Sequence, residues 1–151
     1  MRRRIGARAG EQHDAGFTLI ELLVVIVIIG ILAAIAIPVF LSNRQRAYEA
    51  SMKSDLRSIA NEETSYYTDY SAYASATDVT ITAPSGLNRG QIVIFPGTAV
   101  VMSPFNLVSI QQAGQNGFCL MITTVKSPEV WYYDSLGGGI TRTDCSSNPG
   151  Y

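Results

Sequence analysis

Glu21 is a single carboxylate standing immediately ahead of twenty residues, Leu22–Leu41, that carry no charge. An ionised carboxylate placed in hydrocarbon costs about 3 kcal/mol on insertion scales, so it is rare there without a partner. Phe17 lies four residues earlier, directly after Gly16. A cut between Gly16 and Phe17 would create an α-amino cation one helical turn from Glu21. A helix N-terminus also favours an acid in its first turn. The segment reads as one built to be cut at that point.

Little else in the chain could do chemistry. His13 is the only histidine and precedes the candidate cut. Residues 17–151 therefore cannot run a Ser-His-Asp or Cys-His mechanism, and they lack the usual zinc ligands. Gly137-Gly138-Gly139 precedes neither a helix nor a lysine, so it is not a phosphate-binding loop. No catalytic group, metal set or cofactor motif emerges, and the expectation is a protein that is not an enzyme. A net charge of −1 recruits neither nucleic acid nor an anionic surface in bulk, and no direct nucleic-acid site is evident.

The element that must position Glu21 is the apolar run itself. Twenty uncharged residues make a helix of roughly 30 Å, enough to cross a bilayer. Its apolar side chains point all round the axis, so the surroundings must be lipid or a bundle of like helices. Ala34-Ile35-Ala36 offers the small-x-small site of an ordinary signal peptide, but an acid precedes that core and Pro38 sits just past the cut. A plain single-pass anchor would gain nothing from Glu21.

The run Gly16-Phe17-Thr18-Leu19-Ile20-Glu21-Leu22-Leu23, continued through Gly30 and Ile31 to Pro38, resembles the processing site of the type IV pilin and pseudopilin family. The resemblance covers about 25 residues and is silent beyond about Tyr73. It implies a leader, residues 1–16, removed by a prepilin peptidase that cuts after Gly16 and methylates Phe17. It implies that Glu21 pairs with the Phe17 amine of a neighbouring subunit during assembly. It further implies a homopolymer built at a membrane assembly platform from subunits first held in the lipid bilayer. Such a subunit sits in the cytoplasmic membrane, N-terminus inside, and later in an extracellular pilus serving adhesion, motility or DNA uptake. The alternative within the family is a pseudopilin of a type II secretion or competence apparatus. Arg2, Arg3, Arg4 and Arg8 on the leader agree with a cytoplasmic N-terminus, although Arg44, Arg46 and Lys53 follow on the other flank. Gly30 and Pro38 are helix weak points. Family filaments loosen the helix between corresponding positions; a mild kink tolerated in lipid is the other reading.

The expected fold is α+β, a long N-terminal helix packed against a C-terminal antiparallel sheet. Residues 17–41 form its transmembrane or filament-core part, and residues 42–151 one small globular domain. Ala47, Tyr48, Met52, Leu56, Ile59 and Ala60 recur at three- and four-residue spacing, which draws an apolar stripe along an amphipathic helix over 42–73. Thr18 to about Tyr70 would make one helix of roughly 80 Å, with Glu49 and Lys53 as an i,i+4 pair. Tyr66, Tyr67, Tyr70 and Tyr73 read as a packing cluster at its end. Residues 74–90, with Pro84, read as loop. Strand-favouring runs follow at Gln91–Phe95, Thr98–Met102, Asn106–Gln111, Phe118–Val125 and Glu129–Asp134, with a shorter one at Ile140–Arg142. Pro96-Gly97, Pro104 and Pro128 separate them. The family often closes its C-terminal region with a cysteine pair, and Cys119 and Cys145 are the only cysteines here. An exported chain meets oxidising conditions, so a disulfide closes residues 91–151, with two free thiols as the other reading. Asp134 and Asp144 echo a pseudopilin calcium loop without its spacing, and a solvated turn is expected there.

Overall fold

The computed structural model describes residues 16–82, 90–94 and 99–151. The leader residues up to Ala15, Pro84 and the Pro96-Gly97 break lie outside the described residues. The chain divides between Phe40 and Leu41 into two units.

One helix, α1, runs over Leu19–Tyr70. Its N-terminal part, to Phe40, leaves its large apolar side chains exposed, and it is long and apolar enough to cross a membrane. The helix is unbroken through Gly30 and Pro38, although Pro38 has no N–H to offer the carbonyl of Ala34. At the far end Ser71 takes a left-handed φ of 55° and its N–H donates to the Tyr67 carbonyl at 2.8 Å. A left-handed residue just past the last turn is how many helices stop. The helix thus closes three residues short of Tyr73.

Within the second unit the expected stripe buries Met52, Leu56, Ile59 and Ala60. Ala47, at the start of that stripe, is exposed, while Tyr48 is half-buried. The stripe packs with two antiparallel sheets rather than one. β1 (Val79–Thr82), β2 (Gln91–Ile94) and β3 (Ala99–Val101) form the first in that order, and β4 (Asn106–Ala113), β5 (Phe118–Thr124), β6 (Ser127–Asp134) and β7 (Gly139–Thr141) the second. β1 corrects the expectation of loop throughout 74–90: Val79-Thr80-Ile81-Thr82 pairs with Gln91–Ile94.

Between β3 and β4 the ladder is interrupted by Pro104, which lacks a donor, and by Phe105, held at a φ of 72°. That is the physical reason the strands part into two sheets. Pro128 does not separate strands as expected. It lies inside β6, where the register between β5 and β6 shifts, and irregular or edge positions are where a strand tolerates proline. The β5–β6 turn is Val125-Lys126 instead, bracketed by the Thr124–Ser127 pair.

Side chains alternate across the second sheet. Asn106, Val108 and Ile110 of β4 and Phe118, Leu120 and Ile122 of β5 are buried, joining Ile92, Ile94, Met102 and the helical stripe in one core. The Cys119–Cys145 disulfide spans 26 residues with a Cα–Cα distance of 5.8 Å and ties the tail to β5. Asp134 Oδ1 accepts the N–H groups of Leu136 and Gly137 and the Tyr151 hydroxyl. With Gly138 and Gly139 at φ near +100°, the glycine run is the β6–β7 turn.

Candidate processing and assembly site

Thr18 and Glu21 form a reciprocal N-terminal cap. The Thr18 backbone N–H donates to Glu21 Oε2 at 2.9 Å, the Thr18 hydroxyl donates to the same oxygen at 2.7 Å, and the Glu21 N–H donates to Thr18 Oγ1 at 3.2 Å. The spacing is Thr-x-x-Glu, the capping box. It was readable in the sequence and supplies Glu21 with a role inside its own subunit. The other oxygen, Oε1, has neither a hydrogen bond nor an ion pair among the described residues. The carboxylate is thereby oriented by Thr18 and left half-available to an external positive charge.

Phe17 stands 88% exposed just ahead of this cap. A Cβ added at Gly16 would meet nothing within 4 Å, and the same is true at Gly30. Among the described residues nothing makes a steric demand for glycine at either place.

The helix carries two further acids on its buried stripe, and these were missed in the sequence. Asp55 is 6% exposed. It accepts from the Ser103 N–H at 2.8 Å, the Ser103 hydroxyl at 3.0 Å and the Asn106 side-chain amide at 2.7 Å. It thus pins the chain between the two sheets to α1. Glu63 is fully buried. Its Oε2 accepts the Ala74 N–H at 2.9 Å, and Oε1 has no partner. Burial pushes its pKa up to about 7, against the Ala74 hydrogen bond, with the charges of Asp78 and Glu62 adding to the rise. Asp78 itself is held below the ordinary carboxylate range by the Ser75 hydroxyl and amide. The available signal was register: positions 52, 55, 56, 59, 60 and 63 share one helical face, so an acid there had to be buried.

Glu49 and Lys53 do not pair with each other. Glu49 meets Arg142 at 3.5 Å, Arg142 also meets Glu129 at 3.3 Å, and Lys53 Nζ lies 3.7 Å from the centre of the Trp131 ring. Tertiary partners outcompete an i,i+4 pair worth only a few tenths of a kcal/mol. The tyrosine cluster packs as expected. Tyr66 stacks on Tyr70, Tyr67 on Tyr73, and Tyr73 meets Phe118 at 4.8 Å. No three His, Cys, Asp or Glu side chains converge on a metal position among the described residues.

Residues 12–37 match the family described as the prokaryotic N-terminal methylation motif. The chain is similar to the type IV wide pilus major component of Thermus thermophilus, 32% identical over 134 residues, covering 88% of this chain and 90% of that one. It is 39% identical over 79 residues to the type IV major pilin protein of Myxococcus xanthus, covering 52% of this chain and 36% of that one. To the type II secretion system core protein G of Pseudomonas aeruginosa it is 42% identical over 65 residues, covering 43% of this chain and 46% of that one. The match thus spans under half the length of the Myxococcus and Pseudomonas relatives.

Proposed function

The chain belongs to the type IV pilin and pseudopilin family, and on that premise we propose that it is a structural subunit, not an enzyme, of a type IV pilus filament. One observation carries this over the pseudopilin alternative. The pilus component of Thermus thermophilus is matched through nine-tenths of its length, whereas the type II secretion protein of Pseudomonas aeruginosa is matched through 46%.

The subunit waits in the cytoplasmic membrane with residues 1–16 inside. A prepilin peptidase cuts after Gly16 and methylates the Phe17 amine. At a membrane assembly platform, Glu21 takes the Phe17 amine of a neighbour, and the apolar helices exchange lipid for one another. This reading is supported by the free Oε1 of a carboxylate that Thr18 already orients, and by the exposed apolar surface of α1. Each subunit offers one face and accepts another, which builds an open helical polymer rather than a closed ring. Gly30 and Pro38 are where the helix would loosen on packing.

Intact-mass measurement of the mature subunit tests the processing step. The expected result is an N-terminus at methylated Phe17; a start at Met1 or at Ile37 overturns it. Gly16→Val should block the cut, because a site built around a missing side chain cannot admit a branched one. Immunogold microscopy of surface filaments, beside a deletion strain, separates the two readings. Labelled surface fibres absent from the deletion strain mark a pilin, and loss of protein secretion without loss of fibres marks a pseudopilin.

A further inference from the structure

A cleft of about 430 Å³ opens in the second unit between α1 and the β5–β6 turn, lined by Leu41, Arg44, Tyr48, Val125, Lys126 and Pro128 among others. Its two cations come from different elements, and no carboxylate lines it. The ion pairs between described residues, Arg142 with Glu49 and with Glu129, involve neither cation, so among the described residues Arg44 and Lys126 meet no carboxylate. Each is instead held against an aromatic face. The Arg44 guanidinium lies 5.8 Å from the Tyr48 ring centre and Lys126 Nζ 4.4 Å from that of Phe105. Arg44 Nε also donates to the Tyr48 hydroxyl at 3.3 Å. That leaves the outer guanidinium N–H groups, the ammonium and the Tyr48 O–H as donors for an anion. This donor set suits a tetrahedral phosphate.

The rim is apolar. Leu41 is the last residue of the uncharged run, and Arg44 follows about 4.5 Å further along the helix axis. Val125, at the tip of the turn beside Lys126, is 73% exposed. A cationic floor under an exposed apolar lip, set where a membrane-compatible helix meets its first charge, is the pattern of an interfacial anchor. A free anion would need no such lip.

We propose that this cleft binds the phosphate of an anionic phospholipid headgroup while the subunit is held in the membrane, docking the β5–β6 turn on the bilayer surface. The inference rests on the membrane-held stage proposed above. Each cation near an anionic surface is worth about 1 kcal/mol, or roughly fivefold in binding.

Native mass spectrometry of the full chain in detergent micelles, with equal phosphatidylglycerol and phosphatidylcholine added, tests it. The expected result is retention of phosphatidylglycerol in at least about fivefold excess. Arg44→Gln combined with Lys126→Gln should bring the ratio close to unity. Arg46→Gln, two residues on but outside the cleft, should leave the excess in place. Equal retention of the two lipids by the unaltered chain overturns the proposal, and that arm needs no variant to fold. Loss of the excess in Arg46→Gln as readily as in the double variant also overturns it, since flank charge alone would then suffice. Displacement of the lipid by millimolar inorganic phosphate would make the ligand free phosphate, which the proposal excludes. A chain that stays soluble without detergent sinks the membrane-held stage itself. A detergent-dependent chain with no lipid preference sinks only the cleft.

Discussion

The two stretches of α1 hold carboxylates in contrasting surroundings, Glu21 exposed in the first and Asp55 and Glu63 buried in the second. On Leu19–Phe40 the apolar side chains are exposed and the one acid, Glu21, is satisfied on one oxygen by its own cap and free on the other. On Leu41–Tyr70 the apolar stripe of Met52, Leu56, Ile59 and Ala60 is covered, and its acids, Asp55 and Glu63, take backbone or side-chain donors of the same subunit. The second stretch covers its apolar stripe within the chain, with Glu63 Oε1 left as a buried oxygen without a partner. The first leaves both its apolar surface and half a carboxylate to be completed from outside, as a subunit made to polymerise would.

The sharpest way to break this contrast is at Glu21. If the acid were merely tolerated, Glu21→Val would be neutral or helpful, since a charge would leave an apolar segment. If it takes a neighbour's amine, the change leaves that cation unpartnered among helices, typically a loss of about 3–5 kcal/mol at every added subunit. The expected outcome is protein that is made and inserted but forms no filaments, counted by electron microscopy in the absence of wild-type subunits. Glu21→Gln, which keeps the Thr18 cap but loses the charge, should be intermediate at best. Normal fibres from Glu21→Val would sink the pairing.

Asp55 is the matching test on the inward-facing stretch. Asp55→Ala strands the Ser103 N–H and hydroxyl and leaves the Asn106 amide with Ser51 alone. Each stranded buried donor costs about 1–3 kcal/mol, so a loss of about 3–4 kcal/mol in denaturant unfolding followed by Trp131 fluorescence is expected. Processing at Gly16 should be untouched, because the defect lies in the other unit. Reduction of the Cys119–Cys145 bond, which closes 26 residues, should cost the second unit about 3–4 kcal/mol in the chain-entropy model. Peptide mapping without reductant should recover the linked pair.

The sequence disclosed the helix and its stripe because they rest on local rules: spacing of apolar residues and absence of breakers from Val39 onward. The Thr-x-x-Glu cap is equally local and was passed over. It disclosed most strands for the same reason. β1 was hidden because Val79-Thr80-Ile81-Thr82 is short and sits in a Ser/Thr-rich stretch, although Val and Ile do alternate with Thr. The division into two sheets was hidden because it depends on the positive φ of Phe105 and on Ser103 bonding back to Asp55, 48 residues away. Lys53 and Glu49 misled for the same non-local reason. Trp131 and Arg142 reach them only after folding.

The smallest expected effect concerns Glu63. Its pKa rises from 4.5 to about 7 in the folded state, so the folded form holds a proton that the unfolded form releases near 4.5. The stability from burying the neutral acid is therefore fully present below about pH 4.5, declines as pH rises through about 7, and is absent above it. A shift of this size corresponds to about 3 kcal/mol as an upper bound, and partial relaxation around the orphan Oε1 will reduce it. Glu63→Gln keeps an acceptor for the Ala74 N–H and removes the titration. Between pH 5 and pH 8 it should flatten the fall in denaturation midpoint, gaining about 1–2 kcal/mol over the unaltered chain at the alkaline end. Asp78 and Glu62 enter the same site electrostatically, so Asp78→Asn should lower the midpoint of that decline without abolishing it. An unaltered pH profile in Glu63→Gln would assign the decline, if seen, to other groups. It would also remove Glu63 as the acid that makes the inward-facing stretch sensitive to pH.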